Sequence, residues 1–259
     1  MKNNRLLSIV LSVCLIIGLI FAVQYVIGEI FSTSENDIVI TESETFIDDE
    51  ITQLSVDLLS ADIVIKTGDR ASVSTENGFI RYSLRKGKLD IYEKPHSIKN
   101  SGGKVVLTLP ESFHLDKCKI NTGKGNISAD ILSSSDCRID YGAGNVEIGI
   151  LLADTSLRID GGAGKITVSD GKINNSHIDV GVGTLNFRAE ATGKMRVECG
   201  VGRTDITLLG GEDLYSFKID KGIGEVMVGD KSVTDGSFGF GGNLIDIDGG
   251  VGNINVSFE

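Results

Sequence analysis

The apolar positions of this chain fall into two regimes. From Leu6 to Ile27 they form a nearly continuous run, broken only by Ser8, Ser12, Gly18 and Gln24. From about residue 44 onward they alternate with polar positions, as in Leu54/Val56/Leu58, Ile63/Ile65, Leu89/Ile91 and Val105/Leu107/Leu109. A period of two predicts strands with one face buried. Downstream the alternation is punctuated by Gly-x-Gly copies starting at Gly123, Gly142, Gly162, Gly181, Gly200, Gly222 and Gly250, with spacings of 19, 20, 19, 19, 22 and 28. Three places before each copy stands Ile120, Ile139, Ile159, Ile178, Val197, Ile219 or Ile247. Behind each copy the alternation resumes, as in Val146/Ile148 and Ile166/Val168.

Strand, glycine corner and strand at a fixed period near 20 describe coils that stack and share a core. The sequence therefore predicts an all-β, single-domain parallel β-solenoid, or β-helix, with adjacent coils about 4.8 Å apart. The crossover rule predicts right-handed winding. Two places before the Ile/Val column lie Cys118, Cys137, Leu157, Ser176, Met195, Phe217 and Ile245, a mostly apolar column expected to face inward. The centres of the corners are Lys124, Ala143, Ala163, Val182, Val201, Ile223 and Val251. After the first copy they are uniformly small or apolar, and they are expected to fill a corner of the core. Upstream the period blurs, predicting a few irregular coils and an N-terminal cap within one domain over 44–259.

The run Leu6–Ile27 follows Lys2 and Arg5 and is 22 residues long. About 20 apolar residues span the hydrocarbon core as a helix. A cleaved signal peptide is the alternative, but its apolar region is shorter and ends at small residues, whereas this run leads into Gln24-Tyr25-Val26-Ile27-Gly28-Glu29. Cys14 follows Val13, where a lipoprotein signal requires a small residue. The expected organisation is a cytoplasmic stub and transmembrane helix over 1–30, a polar spacer over 31–43 and the solenoid over 44–259. Basic residues before the span and Glu29, Glu35 and Asp37 after it place the C-terminal domain outside the cytoplasm, as a single-pass protein of the cell membrane.

Several segments together resemble a known family. They are Lys104-Val105-Val106-Leu107-Thr108-Leu109-Pro110, then Leu115-Asp116-Lys117, then the repeated Ile-Asp-x-Gly-x-Gly copies. This stretch resembles the bacterial putative-adhesin family of β-solenoid domains of unknown function. Leu54-Ser55-Val56 to Ala61-Asp62-Ile63-Val64-Ile65 is similar to that family's opening coil. The resemblance covers about 44–259 and implies a β-solenoid, often membrane-attached, with no established enzymatic activity and no functional residues to transfer.

Composition sharpens what is excluded. Hydrophobic residues make up 41%, so the chain can bury a core. The net charge of −11 argues against nucleic acid as a partner. No Gly-x-Gly copy continues into the Gly-Lys-Ser/Thr of a phosphate loop or opens a helix. Gly161-Gly162-Ala163-Gly164-Lys165-Ile166 and Gly249-Gly250-Val251-Gly252-Asn253-Ile254 place Ile where the calcium-binding nonapeptide needs Asp. Cys118 and Cys137 share a column in neighbouring coils, close enough for a disulfide, although two free buried thiols are the simpler reading. His96, His114 and His177 are scattered, with no triad-like or zinc-like spacing. No catalytic, cofactor-binding or metal residues are assigned, and no cofactor is expected.

Two features single out residues. The first is a pair of charge columns flanking the Ile/Val column on its outward side. Before it stand Lys119, Arg138, Arg158, His177, Arg196, Lys218 and Asp246, and after it Asn121, Asp140, Asp160, Asp179, Glu198, Asp220 and Asp248. We read these as structural ladders that set register. In chain order the last coil looks uncompensated, with acids at both 246 and 248, so any weak cation site is expected there. The second is the excursion 229–244, whose Phe238 and Phe240 either cover the end of the core or form an interaction loop. The last strand also lies at the end of the sequence, suggesting an open edge for weak end-to-end self-association or capping by the excursion. The expected role is non-enzymatic: cell-surface interaction, adhesion, or an envelope scaffold or sensor component with a surface or envelope protein partner. The alternative is a polysaccharide-binding or polysaccharide-cleaving β-helix, marked by side chains converging from non-equivalent columns.

Overall fold

The structure is a computed structural model that describes residues 38–39, 44–94 and 102–259. The anchor predicted over Leu6–Ile27 and most of the spacer lie outside the described residues. Among those described, no helix is long and apolar enough to cross a membrane.

The β domain is one compact unit, Ile38–Glu259, built on a single 15-stranded sheet. Its strands are β1 (Ile38–Val39), β2 (Thr45–Phe46), β3 (Gln53–Leu58), β4 (Asp62–Gly68), β5 (Ser72–Thr75), β6 (Ile80–Arg85), β7 (Lys88–Glu93), β8 (Lys104–Pro110), β9 (Leu115–Lys124), β10 (Ile127–Leu208), β11 (Tyr215–Asp220), β12 (Val226–Val228), β13 (Lys231–Val233), β14 (Gly236–Gly239) and β15 (Asn243–Phe258). The only helix among the described residues is a short 3-10 turn, Glu212–Leu214.

β10 is an unbroken ladder of 82 residues containing four of the glycine corners. It can stay extended through its corners because the second glycine of each pair adopts a positive φ. At Gly183 φ is 150°, and a Cβ there would run into the carbonyl oxygen of Gly164 one level below. Only glycine satisfies both the dihedral and this close approach. Between corners, alternate residues bury their side chains. Ile120, Ile139, Ile159, Ile178 and Val197 are fully enclosed, as are Val146, Ile166 and Leu185 beyond the corner.

The order of levels differs from the order of the chain at both ends. β9 pairs in parallel with β10, Cys118 opposite Cys137 and Ile120 opposite Ile139. At the other end of β10, however, the fifth copy pairs with the seventh rather than the sixth: Val197 lies opposite Ile247, and Val201 opposite Val251. The sixth copy stacks outside it, Ile219 opposite Ile247 and Ile223 opposite Val251. β15 is thus held between β10 on one side and β11 and β12 on the other. This corrects the expectation of an open last strand. The 229–244 excursion supplies β13 and β14, which cap β12 and β11 in antiparallel fashion.

The N-terminal end repeats this construction. β3 and β4, the first level in sequence, pair with β9 and β10 on their inner side and with β7 and β8 on their outer side. β6 and β5 then cap β7 and β8 in antiparallel fashion. Short antiparallel caps blunt the exposed ladders that a stack otherwise offers to other chains.

Candidate functional site

The two charge columns meet on the outward side of β10. Arg138 donates from Nε to Asp140 at 2.8 Å and from Nη2 to Asp160, one level up, at 3.1 Å. Arg158 donates to Asp160 at 2.7 Å, and Arg196 to Glu198 at 2.6 Å. Each arginine therefore ties its own level, and Arg138 also ties the next. Burial tends to raise the Asp140 pKa, but the hydrogen bond from Arg138 and the charges of Arg138 and Lys119 hold it below its ordinary value. Lys119 stands exposed beside Asp57, which burial pushes up against the pull of Lys119 and Asn121. Asp220 is exposed at the outer end of the acid column, opposite Asp248.

The reordering of levels changes the reading of Asp246. It occupies the base column, opposite Arg196 on one side and Lys218 on the other. Its carboxylate is nearly fully buried and receives Lys194 at 2.8 Å, Arg196 at 3.4 Å and Lys218 at 3.6 Å. Burial raises its pKa, but the Lys194 hydrogen bond and the three cations together bring it below the ordinary carboxylate value. Arg196 also reaches Asp248 at 3.5 Å. The expected uncompensated last coil is therefore corrected: Asp246 has three ion pairs and Asp248 has one. Among the described residues no group of three His, Cys, Asp or Glu side chains converges to hold a metal.

The sparse point lies one copy earlier. Asp179 has His177, not an arginine, in its own level, and among the described residues no ion pair within 4.0 Å reaches it. Burial and then the charges of Glu198 and Asp160 raise its pKa. His177 instead faces Glu198 at 3.5 Å.

Phe238 and Phe240 behave differently from one another. Phe238, on β14, stacks on buried Phe217 with ring centroids 5.1 Å apart. Phe240 is fully exposed. The corner centres also depart from expectation. Val182, Val201, Val251 and Ile223 point outward instead of filling the core. Apolar identity alone suggested burial, but the flanking glycines turn the corner so that the central side chain stands off the surface.

Three groupings were not visible as motifs. Glu93 is buried at the end of β7, and its Oε2 accepts the N–H groups of Leu59, Ser60 and Ala61 at 2.8, 2.8 and 3.2 Å. It satisfies the N–H groups of the first level's corner, whose Leu59 carbonyl accepts from Lys124 of the neighbouring glycine corner. His114 meets Ser133 at 2.9 Å through Nδ1 and Asp154 at 3.7 Å through Nε2. Adding one and two periods to 114 points to this grouping. It lacks the form of a hydrolytic triad: Ser133 is buried, and Nε2 is shared with Ser135 at 3.2 Å. Finally, a surface depression of about 230 Å³ is lined by Arg203, Asn253 and Glu225 from one column and Asp205, Asn255 and Met227 from another. Two neighbouring columns at three successive levels form it, and Arg203 is already engaged by Asp205 at 2.6 Å. Cys118 and Cys137 are buried free thiols opposite each other.

Among curated protein sequences, none matches the chain. Solved structures give matches at low identity. A putative cell adhesion protein from Clostridium sporogenes is 17% identical over 85% of this chain and 99% of that one, with a TM-score of 0.35. A putative adhesin from Bacteroides fragilis is 14% identical over 86% and 98%, with a TM-score of 0.43. A putative lipid binding protein from Parabacteroides distasonis is 16% identical over 85% and 98%, with a TM-score of 0.37. At these identities and scores none of the likenesses transfers a function. The sequence itself matches the family model Toastrack DUF4097 over residues 31–256, and the chain belongs to that family.

Proposed function

We propose that this protein is a membrane-anchored, outward-facing and non-enzymatic interaction module of a bacterial-type envelope, serving in surface contact, adhesion, or as a scaffold or sensor component. Its domain is a right-handed parallel β-solenoid of coils about 20 residues long, consistent with registers such as Leu115 opposite Ser134. The observation that carries the reading is the uniformity of the outward face. An arginine pairs with the acid two residues on at Arg138, Arg158 and Arg196, and in the polar depression Arg203 is engaged by Asp205 in the same way. A polysaccharide-cleaving site would need acids converging from non-equivalent columns.

The Leu6–Ile27 run, preceded by Lys2 and Arg5, supports the anchor. The acidic net charge favours a protein or surface partner over nucleic acid. The experiment is protease treatment of intact cells followed by fractionation. The domain should be shaved from outside, and the uncut protein should stay in the membrane fraction in high salt. Release of full-length protein by salt alone, or a domain protected until cells are lysed, would overturn the reading.

A further inference from the structure

Four branched apolar side chains stand exposed in one column. Val182, Val201, Val251 and Ile223 are 56, 51, 49 and 71% exposed. Pairing of Val201 with Val251 and of Val251 with Ile223 makes the last three consecutive levels, and Val182 lies one level below them. The core behind them is already closed by Ile178, Leu185, Val197 and Ile247, so the ridge adds nothing to internal packing. Each ridge residue is flanked on both sides by glycine. The surface is therefore a row of stiff β-branched groups, repeating every ~4.8 Å, between two furrows of bare backbone. A partner that fills it must carry the same repeat and be narrow enough to enter a furrow. A second ridge of this kind meets both conditions, as stacked identical side chains do when they interdigitate.

We propose that this corner ridge docks a second copy of the chain, the two stacks lying parallel about a two-fold axis, each ridge seated in a glycine furrow of the other. The inference rests on the reading of the domain as an interaction module and names one partner for it. Charge selects the parallel arrangement. At the four ridge levels one flank carries Asp179, Glu198, Asp248 and Asp220, and the other carries Thr184, Arg203, Asn253 and Glu225. A two-fold along the stack sets the four acids against a flank of no net charge, with Glu198 facing Arg203 and only Asp220 facing an acid, Glu225, whereas a two-fold across it sets all four acids against acids. The ridge is narrow compared with the about 800 Å² per partner of a stable complex. The association is therefore weak in dilute solution and strengthened by confinement on one surface.

The test is cysteine crosslinking of the full-length protein in its native membranes. Single cysteines replace Val182, Val201 or Val251 in a Cys14→Ser/Cys199→Ser background, with Thr184→Cys and Arg203→Cys as flank controls. A parallel two-fold predicts dimer at all three ridge positions, several-fold above the flank controls. Dimer at one ridge position alone indicates an antiparallel crossing and overturns the proposed arrangement. Equal dimer at ridge and flank is random collision, and no dimer at any ridge position leaves no second copy there; either result overturns the proposal. Val201→Lys/Val251→Lys should abolish crosslinking through Val182→Cys. If that variant instead loses binding to phosphatidylcholine vesicles while no ridge cysteine crosslinks, the occupant is lipid and the proposal fails. Protease shaving separates the two readings: a shaved domain without crosslinks removes the dimer alone, and crosslinks in a domain protected from outside remove the outward-facing module alone.

Discussion

Replacing Asp246 tests why the seventh copy sits between the fifth and the sixth. The column it joins reads Arg196, Asp246, Lys218 in space, so one acid separates two bases. In chain order the same residues would leave two cations adjacent and an acid stranded. Asp246→Asn keeps the shape and removes the charge. Losing one partner of a buried pair costs about 3–5 kcal/mol when the other charge is stranded. Here Lys194 and Lys218 are half-exposed or more and can return to water, so the loss falls nearer that of a charge-assisted hydrogen bond, about 1.5–3 kcal/mol. Asp246→Lys adds repulsion at ~5 Å from each neighbouring base, about 1–3 kcal/mol per pair at surface-like screening. Combining it with Lys218→Asp should recover part of that loss.

Urea denaturation of the four proteins gives the energies, and amide exchange over 243–258 reports whether β15 keeps its place between its neighbours. The acid limb supplies a second readout. The folded Asp246 pKa is lowered, so its contribution is full above about pH 4 and is lost as pH falls through the folded value. Asp246→Asn should flatten that part of the profile. A neutral Asp246→Asn, or an Asp246→Lys no worse than Asp248→Lys at the exposed neighbouring position, would refute the argument that charge places this level.

Three further outcomes follow from the same geometry. Glu93→Ala should destabilise the domain by about 3–5 kcal/mol, because three corner N–H groups lose their acceptor, as read by denaturant midpoint. Gly183→Ala should cost about 3 kcal/mol or more, while Val182→Ala beside it should stay within about 0.5 kcal/mol, both measured by calorimetry. Phe238→Ala should lower stability by about 1–3 kcal/mol through the lost stack on Phe217, and Phe240→Ala should leave it unchanged.

The sequence carried the alternation, the corners and the charge columns, because each of these is set by local spacing. Threading is not local. A parallel level can pair with any level of matching register, and spacings of 22 and 28 before the last two copies say only that extra chain is present. Asp246 was the available clue: an acid in a column of bases fits only between two bases. The corner valines misled because their apolar character was read without the turn that exposes them. Glu93 was invisible because it serves a corner more than 30 residues away in the chain.

The most direct test of the structural reading of the charge columns is the double variant Arg138→Glu/Arg158→Glu, unfolded at about 0.01 M and at 1 M salt, where screening lengths are about 30 and 3 Å. Each exposed pair contributes only about 0–1 kcal/mol, but the reversal also sets new acids beside Asp140, Asp160 and Asp179. The account predicts a clear loss of stability at low salt that largely disappears at high salt. Equal loss at both ionic strengths, or recovery only on adding a divalent cation that the native protein also holds tightly, would contradict it.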